Sequence, residues 1–366
     1  MSGSSATPSA GPGATPAALV TDVQNNRGGI PYSVELISAS GQLLASANPT
    51  IPTLVPVRKP GCPQFQPGDP RACPPGYRPW APLVSSSNTK AYFLDGDDTI
   101  KYLTPAGATG TAMTLPADPH TRYAFSVDPT DTRIAVAAFI YASGGTYPEP
   151  KFLDQIFVED LGTGANRVNL LTSSTAAEYP VGWNGGHVIL GVGDNQPSQF
   201  VSPNPYWAWS GFKVVDATNG SLIATISPFS GACGFGPLVA AGSACGALIG
   251  FDDFSGAYTE IGAQPTCGGS SRPCSSSIYG SPVLSPDGTR VAVGLSSPTE
   301  VWLLSTSGAA ATGASGAAVG WLDSDHLVFS GLDNMLHVLT ISTGSTLTMA
   351  SSTNYTFVGT VPQQIG

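Results

Sequence analysis

Residues 281–294 read SPVLSPDGTRVAVG: an apolar segment, a tight Pro-Asp-Gly turn and a second apolar segment rich in valine. Apolar, β-branched segments on both sides of such a turn are typical of a β-hairpin. Similar segments are FSVDPTDTRIAVAAF from Phe125, PVGWNGGHVILGVG from Pro180, AVGWLDSDHLVFSGL from Ala318 and, more faintly, PLVSSSNTKAYFLDGD from Pro82. The sequence therefore predicts a fold built from an internal repeat.

The residue that opens the second strand of each hairpin shows the spacing of the repeat. This position is filled by Lys90, Arg133, His187, roughly Cys245, Arg290 and His326, which are 36–58 residues apart. A third and a fourth strand follow most hairpins, for example QIFVEDLGTG and RVNLL. Four strands in about 40–50 residues are typical of one blade of a β-propeller.

The two ends of the chain supply the strands of one further blade. YTFVGTV from Tyr355 resembles a first strand without successors, whereas ALVTDV, YSVELISASG and QLLASA from Ala18, Tyr32 and Gln42 resemble second, third and fourth strands. Their pairing would cover otherwise exposed strand edges. We therefore predict an all-β, seven-bladed β-propeller of four-stranded antiparallel blades, closed by the N- and C-terminal strands in one blade. The predicted single domain spans 18–366 and follows a flexible Ser/Gly/Ala/Pro spacer at 1–17.

The repeat also resembles a known family. SPVLSPDGTRVAVG from Ser281 is similar to the blade motif of the bacterial TolB-type, WD-like β-propellers, and DPTDTRIAVAAF and LDSDHLVFSGL look like degenerate copies. The resemblance covers roughly residues 80–351 and implies the fold. It implies little about function, because such propellers serve as binding platforms, as gating domains of peptidases and as accessory subunits of envelope assemblies. Unlike the peptidase-linked members, this sequence shows no α/β-hydrolase domain.

Composition limits the classes of partner. The 366 residues carry a net charge of −10, and 10% of them are charged. Nucleic acid and anionic membranes are unsuitable partners, because both require clustered lysine and arginine. The sequence contains no uninterrupted apolar stretch of about 18 residues, so no transmembrane segment is predicted.

The cysteines suggest an oxidising compartment. The sequence has six cysteines, with no CxxC pair and no histidines at zinc spacing. All lie in segments rich in Gly, Pro and Ser: Cys62, Cys73, Cys233, Cys245, Cys267 and Cys274. We expect disulfides, and Cys62–Cys73 and Cys267–Cys274 would each close a short proline-containing loop. Cys233–Cys245 follows only by elimination, and hairpin register would place Cys233 nearer residue 252. We therefore expect an extracellular or cell-surface protein whose export signal or anchor is not part of this sequence.

The loops are unequal on the two faces of the predicted ring. Turns between first and second strands, such as Asp128–Asp131 and Pro286–Gly288, are short. The long excursions join second to third strands or one blade to the next: Arg58–Pro79, Ala142–Asp154, Asp194–Ser210 and Gln264–Ser277. In a propeller these connections share one face. Loops on a rigid scaffold commonly carry binding sites, although these could also simply cover the ring.

Aromatic residues on these loops are the predicted ligand site. Tyr206, Trp207 and Trp209 lie within four residues, Tyr147 lies on a second excursion, and His120 lies at a blade junction. Aromatic planes stack on sugars or anchor protein partners. The alternative is that the two tryptophans begin the next strand and fill space between blades.

Other candidate residues favour structural roles. The acids in FLDGDD and GFDD are better interpreted as hairpin turns than as calcium ligands: Asp95, Asp97, Asp98, Asp252 and Asp253. His187 and His326 occupy the repeat position that arginine fills elsewhere, and His337 lies within a strand pattern. Trp183 and Trp321, at equivalent repeat positions, are predicted to pack between blades. No catalytic motif, metal site or cofactor is predicted.

Three functions remain open from the sequence. The leading prediction is a non-enzymatic exported propeller that binds a protein or glycan on its loop-rich face. The first alternative is a secreted propeller enzyme, a glycoside hydrolase or lyase, with carboxylates drawn from Glu149, Asp154, Glu178 and Asp194. The second is a structural subunit of a surface assembly. The sequence does not indicate an oligomeric state.

Overall fold

The structure of the chain, a computed structural model, is all-β in the part that it describes. That part comprises residues 17–21, 33–50, 84–118, 121–141, 152–175, 177–192, 209–226, 238–244, 250–262, 282–296, 299–350 and 355–361. Of the predicted spacer at 1–17, residues 1–16 lie outside it. Among the described residues, no helix has the length and apolar content that crossing a membrane requires.

Twenty-six strands follow one another along the described chain. Their bounds are β1 (Ala17–Thr21), β2 (Val34–Ile37), β3 (Leu43–Ala47), β4 (Val84–Ser86), β5 (Ala91–Asp95), β6 (Thr99–Leu103), β7 (Thr109–Thr114), β8 (Thr121–Val127), β9 (Arg133–Tyr141), β10 (Phe152–Asp160), β11 (Val168–Ser173), β12 (Glu178–Asn184), β13 (His187–Val192), β14 (Phe212–Asp216), β15 (Leu222–Ile226), β16 (Gly250–Asp252), β17 (Tyr258–Glu260), β18 (Val283–Leu284), β19 (Arg290–Ser296), β20 (Thr299–Ser305), β21 (Gly308–Ala311), β22 (Gly316–Trp321), β23 (His326–Gly331), β24 (Leu336–Thr340), β25 (Ser345–Ala350) and β26 (Tyr355–Thr360).

Consecutive strands form antiparallel sheets arranged as a propeller. The first sheet is β4–β7, the second β8–β11, the third β12–β15, the fourth β16–β17, the fifth β18–β21 and the sixth β22–β25. A closing sheet has the order β26-β1-β2-β3. Ala17 pairs with Thr360 and Thr21 with Tyr355, so the predicted sharing of one sheet by the N- and C-terminal strands is confirmed.

The predicted set of seven four-stranded blades is wrong. The described residues form six four-stranded sheets, and the fourth sheet has only the two strands β16 and β17. In front of β16, the pairing seen among the described residues is limited to the isolated bridges Val239–Gly242 and Ser243–Asp252. The described residues 238–244 read LVAAGSA, and their mostly small side chains contribute little cross-strand packing. The spacing of the repeat therefore predicts more regular pairing than the described residues of this sheet show.

Apolar side chains fill the space between neighbouring sheets. One buried cluster joins the second and third sheets and includes Phe139, Tyr179, Trp183 and Val214. Another joins the sixth sheet to the closing sheet through Leu322, Met349, Ile37 and Phe357. The innermost strands of successive four-stranded sheets also touch, including β4 with β8, β8 with β12, β22 with β26 and β26 with β4. The series of sheets therefore closes on itself.

Two tryptophans link adjacent sheets, as predicted for their repeat positions. Trp183 on β12 is 1% exposed and donates its Nε1 hydrogen to the Ser126 carbonyl oxygen on β8, at 3.1 Å. Trp321 on β22 donates in the same way to the Val283 carbonyl oxygen on β18, at 3.3 Å. Because each bond spans two sheets, it fixes their relative position and satisfies a buried donor.

An arginine completes each of these links. Arg133 lies over the Trp183 ring, with 5.6 Å from its Cζ to the ring centroid, and donates to the Ala217 carbonyl at 2.8 Å. Arg290 lies 5.7 Å from the Trp321 centroid and donates to Ser324 at 2.8 Å. We call each set an Arg–Trp clamp. Both clamps lie beside the short turns that join the first and second strands of a sheet. The opposite ends of these strands are lined by other side chains.

The long segments join the strands at that opposite side. The described strands place short turns between β8 and β9, β12 and β13, and β22 and β23. By contrast, 10 residues separate β9 from β10 and 19 separate β13 from β14. We call the side where these segments join the sheets the loop-bearing face.

Candidate functional site

Trp209 is the one predicted ligand-binding residue that lies in the described part of the chain. It is 9% exposed, and its ring packs on Tyr179 with centroids 5.2 Å apart at 44°. Tyr179 in turn packs on Phe139 at 4.8 Å. These are packing contacts between the second and third sheets. The other predicted ligand residues lie outside the described residues: Tyr206, Trp207, Tyr147 and His120. Ligand binding by this set stays a prediction.

The Trp209 ring packs directly against the backbone of Gly191. A Cβ atom at this position would lie 2.6 Å from Cδ2 of Trp209, closer than real Cβ contacts allow. The backbone next to it is fixed by reciprocal bonds, in which the Ser210 amide donates to the Val192 carbonyl and the Val192 amide donates to the Gly211 carbonyl, each at 2.9 Å. Trp209 is therefore held firmly at the root of its loop.

Beside this aromatic group the structure brings together two of the predicted carboxylates. Asp154 on β10 is 0% exposed, and its Oδ2 accepts a hydrogen bond from the backbone amide of Glu178 at 2.8 Å. Glu178, the first residue of β12, is 1% exposed, and its Oε1 lies 2.5 Å from Nζ of Lys213. We call Asp154 and Glu178 the carboxyl pair. Glu149 and Asp194, the other carboxylates proposed, lie outside the described residues.

The environment of the carboxyl pair favours the neutral form of Asp154. Burial, with a smaller contribution from the charge of Glu178, raises the pKa of Asp154 to about 8, against the lowering effect of the hydrogen bond from the Glu178 amide. Two oxygens of the pair, Asp154 Oδ1 and Glu178 Oε2, accept no hydrogen bond from the described residues. Open buried acceptors cost free energy and often mark functional sites.

The carboxyl pair lies at the loop-bearing face. Asp154 is the third residue of β10, which follows segment 142–151, and Lys213 is the second residue of β14, which follows segment 193–208. The Lys213 side chain is 34% exposed, so the cluster reaches solvent there. Thus the two longest connections within sheets join the structure next to one group of buried charges and aromatic rings.

A second feature of the same face is a cleft of about 350 Å³ beside the turn between β23 and β24. Within it the His337 ring stacks on Phe329 at 5.1 Å, and its Nε2 lies 3.0 Å from Oδ1 of Asp333. A Cβ atom at Gly331 would lie 2.5 Å from that oxygen, so a larger residue there would displace the Asp333 side chain. Leu332 at the rim is 60% exposed.

The remaining predicted sites have structural roles. Asp95 and Thr99 pair across the β5–β6 turn, and Asp252 pairs with Tyr258 across the β16–β17 turn, which confirms both hairpins. His326 bonds through Nδ1 to Asp323 at 2.8 Å within its own turn. In the described ranges, no group of three or more His, Cys, Asp or Glu side chains is placed to hold a metal ion. All six cysteines lie outside those ranges.

Comparisons with known proteins give likeness of fold. No family model matches the sequence, and no curated protein matches it. TolB is among the similar solved structures. The TolB structure from Acinetobacter baumannii is 11% identical, with a TM-score of 0.43 over 94% of this chain and 66% of TolB. An oligogalacturonate lyase from Vibrio parahaemolyticus is 9% identical, with a TM-score of 0.42 over 68% of this chain and 73% of the lyase.

Two further structures extend the range of these matches. A manganese complex of oligogalacturonate lyase is 10% identical, with a TM-score of 0.37 over 73% of this chain and 64% of that chain. A chain of a mitotic checkpoint complex is 13% identical, with a TM-score of 0.41 over 84% of both chains. This chain thus spans just under two thirds of TolB and of the manganese-bound lyase. At these identities the likeness concerns the fold and not the activity.

Sequence reasoning missed Lys213 and the neighbourhood of the carboxyl pair. Asp154 and Glu178 were two of four candidates, and the sequence alone did not bring them together. A usable signal was present, since only 10% of residues are charged and Lys213 falls inside the apolar strand GFKVV. A charge in a buried strand requires a partner, and partners from another sheet become visible only once the sheets are assembled.

Proposed function

We propose that this β-propeller is a binding module, exported or held at the cell surface, whose loop-bearing face takes a protein or glycan partner. One observation supports this most. The two long connections within sheets, 142–151 and 193–208, join the fold beside a group of buried charges and stacked aromatic rings. A rigid base under long loops is a common design of binding surfaces.

The side chains at this place suit recognition. Asp154 and Glu178 lie buried beneath this face, and Glu178 orients the Lys213 ammonium group. Lys213 supplies a partly exposed donor. In this proposal Tyr206, Trp207, Tyr147 and His120, contributed by the sequence around these loops, form the contact surface, and Trp209 holds its base.

The test compares the wild-type protein with Trp207→Ala for binding to a glycan array and to envelope fractions of the producing cell. We expect Trp207→Ala to lose at least tenfold in affinity. The matched control is Tyr258→Ala, which removes an aromatic side chain, 40% exposed, from an outer strand. Thermal melts verify that both variants fold. Equal binding by wild type and Trp207→Ala would contradict the role of this loop.

A second candidate function is acid–base chemistry by the carboxyl pair. The pKa of Asp154, about 8, keeps its proton in place at neutral pH, while Glu178 is ion-paired with Lys213. Glycoside hydrolysis uses one protonated and one ionised carboxyl group, placed on either side of the scissile bond. If the carboxyl pair is catalytic, the wild-type protein will hydrolyse or cleave at least one member of a polysaccharide panel, and Asp154→Asn and Glu178→Gln will not. If the wild-type protein turns over none of these substrates, the catalytic function is contradicted and the binding function remains.

A further inference from the structure

We propose that the cleft beside the β23–β24 turn binds one neutral sugar unit of a glycan, with the Asp333 carboxylate accepting hydrogen bonds from two of its hydroxyl groups. This inference rests on the proposed function, because it names a class of glycan and a second contact on the same loop-bearing face. The accessibility, the charge and the hydrogen bonds of the cleft carry it.

The cleft is open to solvent and has a suitable size. It lies where the connection from β21 to β22 passes the turn between β23 and β24. The Asp333 side chain is 50% exposed and Leu332 is 60% exposed, so a ligand can reach both from solvent. The volume of about 350 Å³ is near the lower end of the range for small-molecule sites, which is about 300–1,000 Å³. Such a space is suited to a single sugar unit.

The charges around the cleft exclude one class of ligand. The described residues that line it include no lysine or arginine, and they include the carboxylate of Asp333. A second carboxylate borders the cleft, since Oε1 of Glu300 accepts a hydrogen bond from the Gly313 amide at 2.7 Å. Two carboxylates repel phosphate esters and sugar acids. The ligand is therefore neutral or cationic.

The surroundings of Asp333 favour a neutral ligand over a cation. Hydrogen bonds from the His337 ring at 3.0 Å and from the Met335 amide at 3.1 Å hold the pKa of Asp333 below its usual range. Because the carboxylate is also half exposed, water stabilises its charge and no cation is required. A carboxylate has about four acceptor positions, and these two bonds leave room for two hydroxyl donors. Adjacent hydroxyl groups of a sugar ring supply such a pair.

A chain of hydrogen bonds orients the carboxylate before a ligand binds. Nε2 of His337 faces Asp333, and Nδ1 lies 3.3 Å from Oγ1 of Thr348. Because an ionised carboxylate can only accept, Nε2 carries the hydrogen, and Nδ1 of the neutral ring accepts from the Thr348 hydroxyl. Phe329 stacks on the other side of this arrangement, with ring centroids 5.1 Å apart. His337 is therefore a positioning residue for Asp333, which lowers the ordering cost of binding.

The rest of the lining offers the two kinds of surface that a sugar presents. Leu332 and Ala314 contribute apolar surface, and Ser315 and Thr346 contribute hydroxyl groups. The C–H groups of a sugar ring can pack on the apolar part while its hydroxyl groups bond to the polar part. The cleft thus matches an uncharged polyol in charge, in polarity and in size.

The first experiment measures saturation-transfer NMR of the full chain with three sets of disaccharides. The neutral set is built from glucose, galactose, mannose or N-acetylglucosamine, the acidic set contains glucuronic acid, and the amino set contains glucosamine. We expect at least one neutral disaccharide to bind and the acidic set not to bind. Asp333→Asn should weaken the binding of the neutral disaccharide at least tenfold, because an amide has one acceptor oxygen where the carboxylate has two.

Asp216→Asn is the matched control for Asp333→Asn. Like Asp333, Asp216 lies in a turn between strands and accepts a hydrogen bond from the backbone amide two residues further on, that of Thr218 at 2.7 Å. It lies in the third sheet, away from the cleft. Asp216→Asn should therefore bind the neutral disaccharide like wild type.

Two further substitutions test the position of the Asp333 carboxylate while its charge is kept. Gly331→Ala places a Cβ atom 2.5 Å from Oδ1 of Asp333 and should weaken binding at least tenfold, whereas Gly186→Ala, with nothing within 4 Å of the new atom, should not. His337→Leu removes the donor to Asp333 and should cost at least tenfold in affinity. His337→Gln places an amide donor near the position of Nε2 and should bind within about threefold of wild type. Thermal melts verify that each variant folds.

The outcomes separate this inference from the proposed function. The inference is overturned if no neutral disaccharide binds wild type, if Asp333→Asn binds as tightly as wild type, or if acidic or amino disaccharides bind more tightly than neutral ones. Binding of a glycan that depends on Trp207 and not on Asp333 would leave the proposed function standing without this contact. If disaccharides, arrayed glycans and envelope fractions all fail to bind, both proposals fail.

Discussion

The Asp154 carboxyl group couples stability to pH at the scale of one residue. Its pKa is about 8 in the folded chain and near 3.9 for an unfolded aspartate. Between these values the folded state holds a proton that the unfolded state releases. The free energy of unfolding therefore falls as pH rises through this window, by at most about 1.4 kcal/mol per pH unit from this group.

The prediction is that Asp154→Asn removes this contribution. Asparagine imitates the neutral acid, so the variant should match wild type near pH 4 and melt at a higher temperature at pH 8 and above. Thermal melts from pH 4 to pH 9 measure the difference, in which the other titrating groups cancel. Parallel pH profiles for the two proteins would show that Asp154 is not held neutral.

Gly191 gives a second prediction at this scale. Gly191→Ala should destabilise the protein by about 1–3 kcal/mol, because the new methyl group would overlap the Trp209 ring. Gly186→Ala is the control in the same sheet, since nothing lies within 4 Å of a Cβ atom there. Denaturant unfolding measures both variants. If the two changes cost the same, the ring is not seated on Gly191.

At the scale of elements, the two Arg–Trp clamps connect strands of neighbouring sheets. If the clamp at Trp321 is stabilising, the effects of substituting Arg290 and Trp321 on the free energy of unfolding should be coupled. In a double-mutant cycle, Arg290→Met and Trp321→Phe should show an interaction free energy of about 0.5–1 kcal/mol. Arg133→Met combined with Trp321→Phe is the control, because Arg133 belongs to the other clamp and the two effects should add. Additive effects in the first cycle would show that stacking of Arg290 on the indole is not stabilising.

The elements also show what could be predicted from the sequence. The turn residues around Asp128, Asp287 and Asp323 correctly predict hairpins. Such predictions succeed because apolar strands and Pro/Asp/Gly turns are recognisable from the local sequence. Around Cys245 such signals are absent, and only the spacing of the repeat predicts a strand there. The partner of Asp154 was not predictable, because Glu178 approaches it only through the packing of one sheet on another.

The whole molecule depends on the closing sheet. Removal of residues 355–366 takes away β26, including the buried Phe357, and exposes the edge of β1. We expect the whole domain to lose at least about 3 kcal/mol, since one buried aromatic side chain alone contributes about 1.5–3 kcal/mol. Removal of residues 1–16 is the control and should leave the melting temperature unchanged. An unchanged melting temperature after removal of 355–366 would refute a stabilising role of the closure.

Because β1 pairs with β26, roughly 330 residues must be synthesised between one strand and its partner. At about 5–20 residues per second, the ribosome needs on the order of 15–70 seconds for that distance. During this time β1–β3 form at most an incomplete sheet with an open edge, which other nascent chains could pair with. Production of the protein should therefore depend on chaperones that shield this edge until translation ends.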